Sequence, residues 1–184
     1  GRTPVDSAGM EAIPKIPADI LAGPSGGRVG AFFDLDGTLV QGFTAAVHLG
    51  HRIRHRQARF GELTGTVEAA LRYRFGRMKF EHLLSRAGGY LRGESLAELH
   101  DLGGRLYAQR IESRVYQEMR DIVAAHRQAG HTLVMCSSAM TMHAAPIAAA
   151  LAIPHVICNR FDVDTDGRLT GAIVRPIIWG TRKA

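Results

Sequence analysis

Two aspartates separated by one residue, Asp34 and Asp36, directly follow the apolar run Val29-Gly30-Ala31-Phe32-Phe33, and Gly37 and Thr38 come next. Carboxylates in this arrangement can share a displacement at phosphorus. The first can attack and carry the phosphoryl group as an acyl phosphate, dividing one hard step into two. The second can protonate the departing oxygen and later activate water. Gly37 lets the chain turn sharply, and Thr38 can hold the turn through its hydroxyl. Far along the chain a second apolar run, Thr132-Leu133-Val134-Met135-Cys136, opens onto Ser137 and Ser138. Hydroxyl and backbone donors there could bind phosphoryl oxygens. Lys183, in Trp179-Gly180-Thr181-Arg182-Lys183, could neutralise charge on the phosphoryl group and the nucleophile. Two clustered carboxylates beside phosphate oxygens suit a hard, oxygen-loving cation, with Mg²⁺ the default.

These residues need elements that bring them to one place. The run 29–33 predicts a strand covered on both faces, as in a parallel sheet; 132–136 and 154–157 predict two more. Ligands of open α/β sheets gather at the carboxyl ends of strands, so Asp34, Asp36 and Ser137 are expected at one edge. Between the first two strands the pattern is helical from about residue 43 to 110. Leu63, Val67, Leu71 and Phe75 fall at four-residue steps, and Leu96, Leu99, Leu106 and Tyr107 form another stripe. Ser95 and Glu98 fit a capping box at its start. Glycines 88, 89, 93, 103 and 104 mark breaks or close packing. Val115, Tyr116, Met119, Ile122, Val123 and His126 trace a further helix ended by Gly130, and 139–151 predicts another with Pro146 at its start or at a kink. Phe161-Asp162-Val163 and 169–174 flank Asp166-Gly167, a hairpin signal. The expected fold class is α/β, a parallel-sheet core with an α-helical module inserted after its first strand. Residues 1–28, rich in Pro, Gly, Ala and Ser, read as a flexible N-terminal tail with one short helix near 17–22.

The bulk properties set bounds. At 184 residues, 46% hydrophobic and 22% charged, the chain suits one domain or a core with an insert, and disordered and fibrous classes are excluded for most of it. No apolar run reaches membrane-span length, and the N-terminus shows no secretory pattern, so a cytoplasmic protein is expected. Cys136 and Cys158 read as reduced, buried residues. The net charge of +6 is uneven: Arg52, Arg54, Arg56, Arg59, Arg72, Arg74, Arg77 and Lys79 face only Glu62 and Glu68 in the stretch 42–80. A solvated helical face is the plain reading. Attraction to nucleic acid, anionic lipid or a phosphorylated substrate is the functional one. Few aromatics and no zinc-finger, RNA-binding or helix-turn-helix pattern argue against nucleic acid.

Phe32-Phe33-Asp34-Leu35-Asp36-Gly37-Thr38-Leu39 resembles the first motif of the haloacid dehalogenase superfamily, and Val134-Met135-Cys136-Ser137-Ser138-Ala139 the second. Asp166-Gly167-Arg168-Leu169-Thr170-Gly171, then Trp179-Gly180 and Lys183, resembles the approach to the third motif in the phosphoserine-phosphatase-like branch, subfamily IB. The resemblance implies a Rossmann-like core, 29–41 and 113–184, and a helical cap, 42–112. It implies a phosphomonoester hydrolase with Asp34 as nucleophile and Asp36 as acid/base. Leu35, Gly37, Thr38, Ser137, Ser138 and Lys183 would line the phosphate site, and Mg²⁺ would be held by Asp34 and the Asp36 carbonyl. Residues 108–116, 158–161 and 175–180 further resemble bacterial proteins in which this domain precedes a 1-acylglycerol-3-phosphate acyltransferase domain. That likeness makes phospholipid metabolism the expected setting and a small or amphiphilic phosphate ester the expected substrate. Peripheral contact with anionic membranes through the basic cap is a further expectation.

The chain ends one residue after Lys183, where the family continues to a fourth, acidic motif. The C-terminal part of the core, a third metal ligand and the strand beside the first are therefore expected to be missing, leaving strand one as an edge. A non-catalytic binding or regulatory domain associated with an acyltransferase is the rival reading. Asp162, Asp164, Asp166 and Gly167 imitate half a calcium loop, but Ile173 stands where its bidentate Glu belongs. His48, His51 and His55 could share a helix face without a zinc-like partner set, and His131 reads as structural.

Overall fold

The computed structural model describes residues 16–56, 64–65, 67–69, 71–72 and 75–180. Strands β1 (Gly30–Phe33), β2 (Thr132–Met140) and β3 (His155–Asn159) form a parallel sheet in the order β1-β2-β3. β2 lies in the middle, and residues 133–136 are all buried, as a strand covered on both faces should be. β1 behaves differently. Ala31 and Phe33 are buried, Phe33 meeting His126 edge-on at 5.8 Å, while Phe32 is 69% exposed. Its continuous apolar run therefore does not mean burial on both faces. Among the described residues β1 pairs only with β2, so a single face of it reaches the core.

Helix α1 (Ile16–Ala22) precedes β1, and α5 (Gln117–Gln128) and α6 (Thr141–Ala150) flank β2 in the chain. Of the stretch read as a tail, residues 16–28 are held to the core: α1 packs on α5, Gly26 N donates to the Ala129 carbonyl at 2.9 Å, and Thr132 Oγ1 to the Gly27 carbonyl at 2.7 Å. His131 is indeed structural, bridging His126 Nδ1 at 2.7 Å and the Pro24 carbonyl at 2.8 Å. Gly130, at φ 74°, ends α5 as expected. β2 runs four residues beyond its predicted end, and α6 begins at Thr141 with Pro146 inside it. Cys136 and Cys158 remain thiols.

The helical cap contains α2 (Thr44–Arg54), α3 (Phe80–Tyr90) and α4 (Leu96–Leu106), the last continuing as a π turn (Tyr107–Ile111) and a 3-10 turn (Glu112–Arg114). Ser95 Oγ accepts from Glu98 N at 3.4 Å, one half of the predicted capping box. The chain's two crossings between core and cap run together: Gln41 N donates to the Arg114 carbonyl at 2.9 Å and Tyr116 N to the Leu39 carbonyl at 3.1 Å. The predicted hairpin is present as β4 (Phe161–Val163) and β5 (Leu169–Ile173), with Gly167 at φ 71°. It belongs to the cap as much as to the core. Gly93 N donates to the Leu169 carbonyl at 2.8 Å, Leu169 N to the Glu94 carbonyl at 2.9 Å, and Leu91, Leu99, Met142, Phe161, Leu169 and Ile173 share one apolar cluster.

One detail corrects the sequence pattern, and another decides between its alternatives for the glycines. Val67, Leu71 and Phe75 are exposed, so that stripe faces outward; Leu63 lies outside the described residues. Helices run through Gly88 and Gly103 because both are points of close approach. A Cβ on Gly88 would sit 2.9 Å from the Gly171 carbonyl oxygen, and one on Gly103 would overlap the Met142 carbonyl oxygen. Pro146 has no N–H to give that carbonyl, which leaves it facing α4. No described helix is long and apolar enough to cross a membrane.

Candidate active site

β1 and β2 are hydrogen-bonded neighbours with Phe33 opposite Met135. Asp34 is the first residue past β1, and Ser137 the first past the regular pairing of β2 with β3, whose register shifts after Cys136↔Ile157. Both polar segments therefore lie at the same edge of the sheet, on strands about 4.8 Å apart.

After Asp34 the backbone makes one tight turn. The Leu35 carbonyl accepts from Leu39 N at 3.0 Å and Val40 N at 3.1 Å, and Gly37 N donates to the Val40 carbonyl at 2.8 Å. Gly37 takes φ 78°, a conformation a Cβ would resist. Leu35 and Leu39 are wholly buried and pin the turn to the core, while Asp34 and Asp36 are half-buried beside them. Leu35 can thus offer a phosphate only its backbone. Gly37 and Thr38 are exposed. Asp34 Oδ1 accepts from Leu35 N at 2.8 Å, and Asp36 Oδ1 accepts from Thr44 N at 2.9 Å. Thr44 opens α2, so the second carboxyl group is held against the first turn of that helix.

Ser137 is buried, and its Oγ accepts from Ala139 N at 3.2 Å, leaving its own proton to give. The Ser138 carbonyl accepts from Asn159 Nδ2 at 2.8 Å. The same Asn159 donates to the Ile178 carbonyl at 3.1 Å and accepts from Ile178 N at 2.8 Å. Asn159 therefore ties the end of β2 at Ser138 to the segment leading toward Lys183, which itself lies outside the described residues. Its position was legible, a polar residue closing an apolar strand at the carboxyl edge, but its clamping role was not.

Two further features escaped the sequence reading. Arg52, counted as part of a solvated basic face, is buried and bonded to Glu94 at 2.7 Å. It shares α2 with Thr44 and His48 at four-residue spacing, and these three are the residues that helix buries. His48 also meets His143 of α6 edge-on, with ring centroids 5.5 Å apart. Burial, and then the nearby Arg52 and His51, lower the His48 pKa to about 4; burial and then His48 lower that of His143 to about 3. The Thr-x₃-His-x₃-Arg spacing was the available signal.

Asp34 and Asp36 supply hard oxygen donors. Among the described residues no group of three or more His, Cys, Asp or Glu could hold a metal. The Asp34 carboxylate and the Asp36 backbone carbonyl, with water, still fit Mg²⁺, which keeps several waters and commonly takes one or two carboxylates plus a substrate phosphate.

The profile of the haloacid dehalogenase-like hydrolases matches residues 31–184. The chain belongs to that family. Among its relatives, phosphoserine phosphatase SerB1 of Mycobacterium tuberculosis is 30% identical over 98% of this chain and 57% of its own length. A Bordetella pertussis protein of unknown function has a solved structure with TM-score 0.72 at 24% identity, covering 80% of this chain and 66% of that one. A substrate-bound phosphoserine phosphatase superposes with TM-score 0.55 at 18% identity over 79% and 61%, a likeness of fold. This member of the haloacid dehalogenase-like hydrolases thus spans less than two thirds of the proteins it resembles. Its parallel sheet and helical cap are those of the family.

Proposed function

We propose that the chain is a Mg²⁺-dependent phosphomonoester hydrolase. The observation that supports it best is the meeting of the Asp34/Asp36 turn and the Ser137–Ser138 segment at one sheet edge. Asp34 attacks phosphorus. The bond from phosphorus to the ester oxygen breaks as that to the carboxylate forms, giving an aspartyl-phosphate. Asp36, held by the start of α2, gives its proton to the leaving alcohol and then takes one from the water that releases inorganic phosphate. Ser137, Ser138 and the backbone of residues 35–38 hold the phosphoryl oxygens, and Lys183 offsets their charge. A cation bound by Asp34 and Asp36 would neutralise charge between carboxylate and phosphate.

Hydrolysis of a generic aryl phosphate, lost with EDTA and reduced at least about 10³-fold by Asp34→Asn, is the expected result. Turnover that survives both treatments would exclude the mechanism. A second reading, a binding or regulatory domain without catalysis, draws on the lack of a third acidic ligand among the described residues. A folded chain with no Mg²⁺-dependent turnover would favour it. Two substrate classes follow from resemblance: an amphiphilic ester of phospholipid metabolism, from the likeness to acyltransferase-linked domains, and phosphoserine, from the relative's name.

A further inference from the structure

Residues 64, 65, 67–69, 71 and 72 of the cap are helical, and the two sides of that helix differ. Gly65 and Ala69 are buried, and a Cβ on Gly65 would overlap the Tyr90 hydroxyl of α3. Glu68 ties the same helix to α3 through Arg86 at 3.0 Å. Positions 67 and 71 lie roughly 200° round the helix from 65 and 69, so they point away from α3. Val67 and Leu71 are 60% and 50% exposed. Phe75, 69% exposed, ends the helix: its N–H donates to the Leu71 carbonyl at 3.0 Å, and Arg77 N to the Arg72 carbonyl at 2.7 Å. Gly76 between them takes φ 67°, as a glycine closing a helix does. Single exposed apolar residues are ordinary on a protein surface, but three large ones along one side of a helix mark a contact.

The charge of this part of the cap says what the contact is. Arg54, Arg56, Arg72, Arg77 and Lys79 are exposed, and Arg77 and Lys79 belong to the short turn that leads from Phe75 into α3. The acidic residues of the stretch 42–80 are Glu62 and Glu68 alone. Glu68 is already met twice, by Arg72 at 2.8 Å and by Arg86 at 3.0 Å. The positive excess is therefore available to a partner. A second copy of the chain would set these cations against each other. Single-stranded nucleic acid would use the cations and an aromatic ring, but has no use for Val67 and Leu71. The boundary of an anionic bilayer uses both sets, the aliphatic and aromatic groups in its acyl edge and the cations among its phosphates.

We propose that this face of the cap docks on the surface of an anionic bilayer, with Val67, Leu71 and Phe75 entering the acyl edge and Arg77 and Lys79 lying among the headgroup phosphates. Docking of this kind does not depend on catalysis. The packing of Gly65, Glu68 and Ala69 toward α3 lets the whole face engage without any change in the cap.

Co-sedimentation of the full chain with two kinds of vesicle decides it: phosphatidylcholine alone, and phosphatidylcholine with roughly one third phosphatidylglycerol. Binding to the anionic vesicles should be at least about tenfold tighter, and the difference should shrink as salt is raised. Val67→Ser/Leu71→Ser/Phe75→Ser should weaken that binding about 100-fold. Arg77→Gln/Lys79→Gln should weaken it about tenfold on anionic vesicles and leave the neutral ones unaffected. Circular dichroism melts should match the native chain for both variants, because every substituted side chain is exposed. No binding by the native chain, equal binding to both vesicles, or a triple serine variant that binds as the native chain does would each overturn the proposal. Self-association in solution that the serine variant abolishes would overturn it too, by showing that a second copy covers the face.

Discussion

At the sheet edge, Asp36 accepts from Thr44 N at 2.9 Å, Ser137 accepts from Ala139 N at 3.2 Å, and Asn159 makes three hydrogen bonds to its surroundings. One helical turn away, Thr44 Oγ1 and both rings of the His48–His143 pair are buried and unpaired among the described residues. The first region spends its polar groups on holding itself in shape, as a site that must fix charges in advance of reaction requires. The second leaves them without partners, closed off from water.

The largest effect should come from loosening the rigid region. Asn159→Ala leaves the Ser138 carbonyl and the Ile178 backbone without partners inside the protein, so stability should fall by about 3 kcal/mol. Turnover should drop about tenfold or more as the end of β2 at Ser138 shifts. Urea melts and aryl phosphate assays measure both, and a stable, fully active variant would show that the strand end holds itself.

Acid should then find the unpaired region. The His48 and His143 pKa values lie below 6.5 in the folded protein, at about 4 and about 3. The unfolded chain therefore binds protons first as pH falls. The stability is complete above 6.5 and is lost between there and the folded values, by about 2 kcal/mol from pH 7 to 5.5. Urea melts across that range should show the slope in the native chain, and the double variant His48→Leu/His143→Leu should flatten it. An unchanged slope would mean that other groups carry the acid sensitivity.

A last pair of substitutions probes the boundary between cap and core. Alanine at Gly103 meets the Met142 carbonyl, whereas a Cβ at Gly104, next in the same helix, meets nothing within 4 Å. Gly103→Ala should cost about 1–3 kcal/mol, and Gly104→Ala should gain up to about 1 kcal/mol from helix propensity. Thermal melts of the pair should move in opposite directions. Equal shifts would deny the close approach.

The contrast between the two regions also explains what could be read from the sequence. Asp34 and Ser137 were legible because each directly follows an apolar run, with Asp36 two residues on, and a parallel sheet brings such ends together. The hairpin was legible because Asp166-Gly167 carries its own turn chemistry. By contrast, the His48–His143 pair joins an insert helix to a core helix, and no local pattern records that contact. Arg52 was misread because a helix in an Arg-rich stretch looks solvated until a distant Glu94 is found to meet it. The outward stripe of Val67, Leu71 and Phe75 misled in the opposite sense, since periodicity marks a face without naming what the face meets.

The pairing of β1 with β2 sets Gly30 against Thr132, with the whole cap between them in the chain. Synthesis therefore delivers the nucleophile loop about 100 residues before the strand it must lie against, an interval of roughly 5–20 s at ordinary translation rates. Closing that loop also costs roughly 1 kcal/mol more in chain entropy than the short return from β2 to β3. The nucleophile loop thus waits through the synthesis of the whole helical insert for the strand it lies against, and the insert waits longer still for the hairpin that completes its apolar cluster.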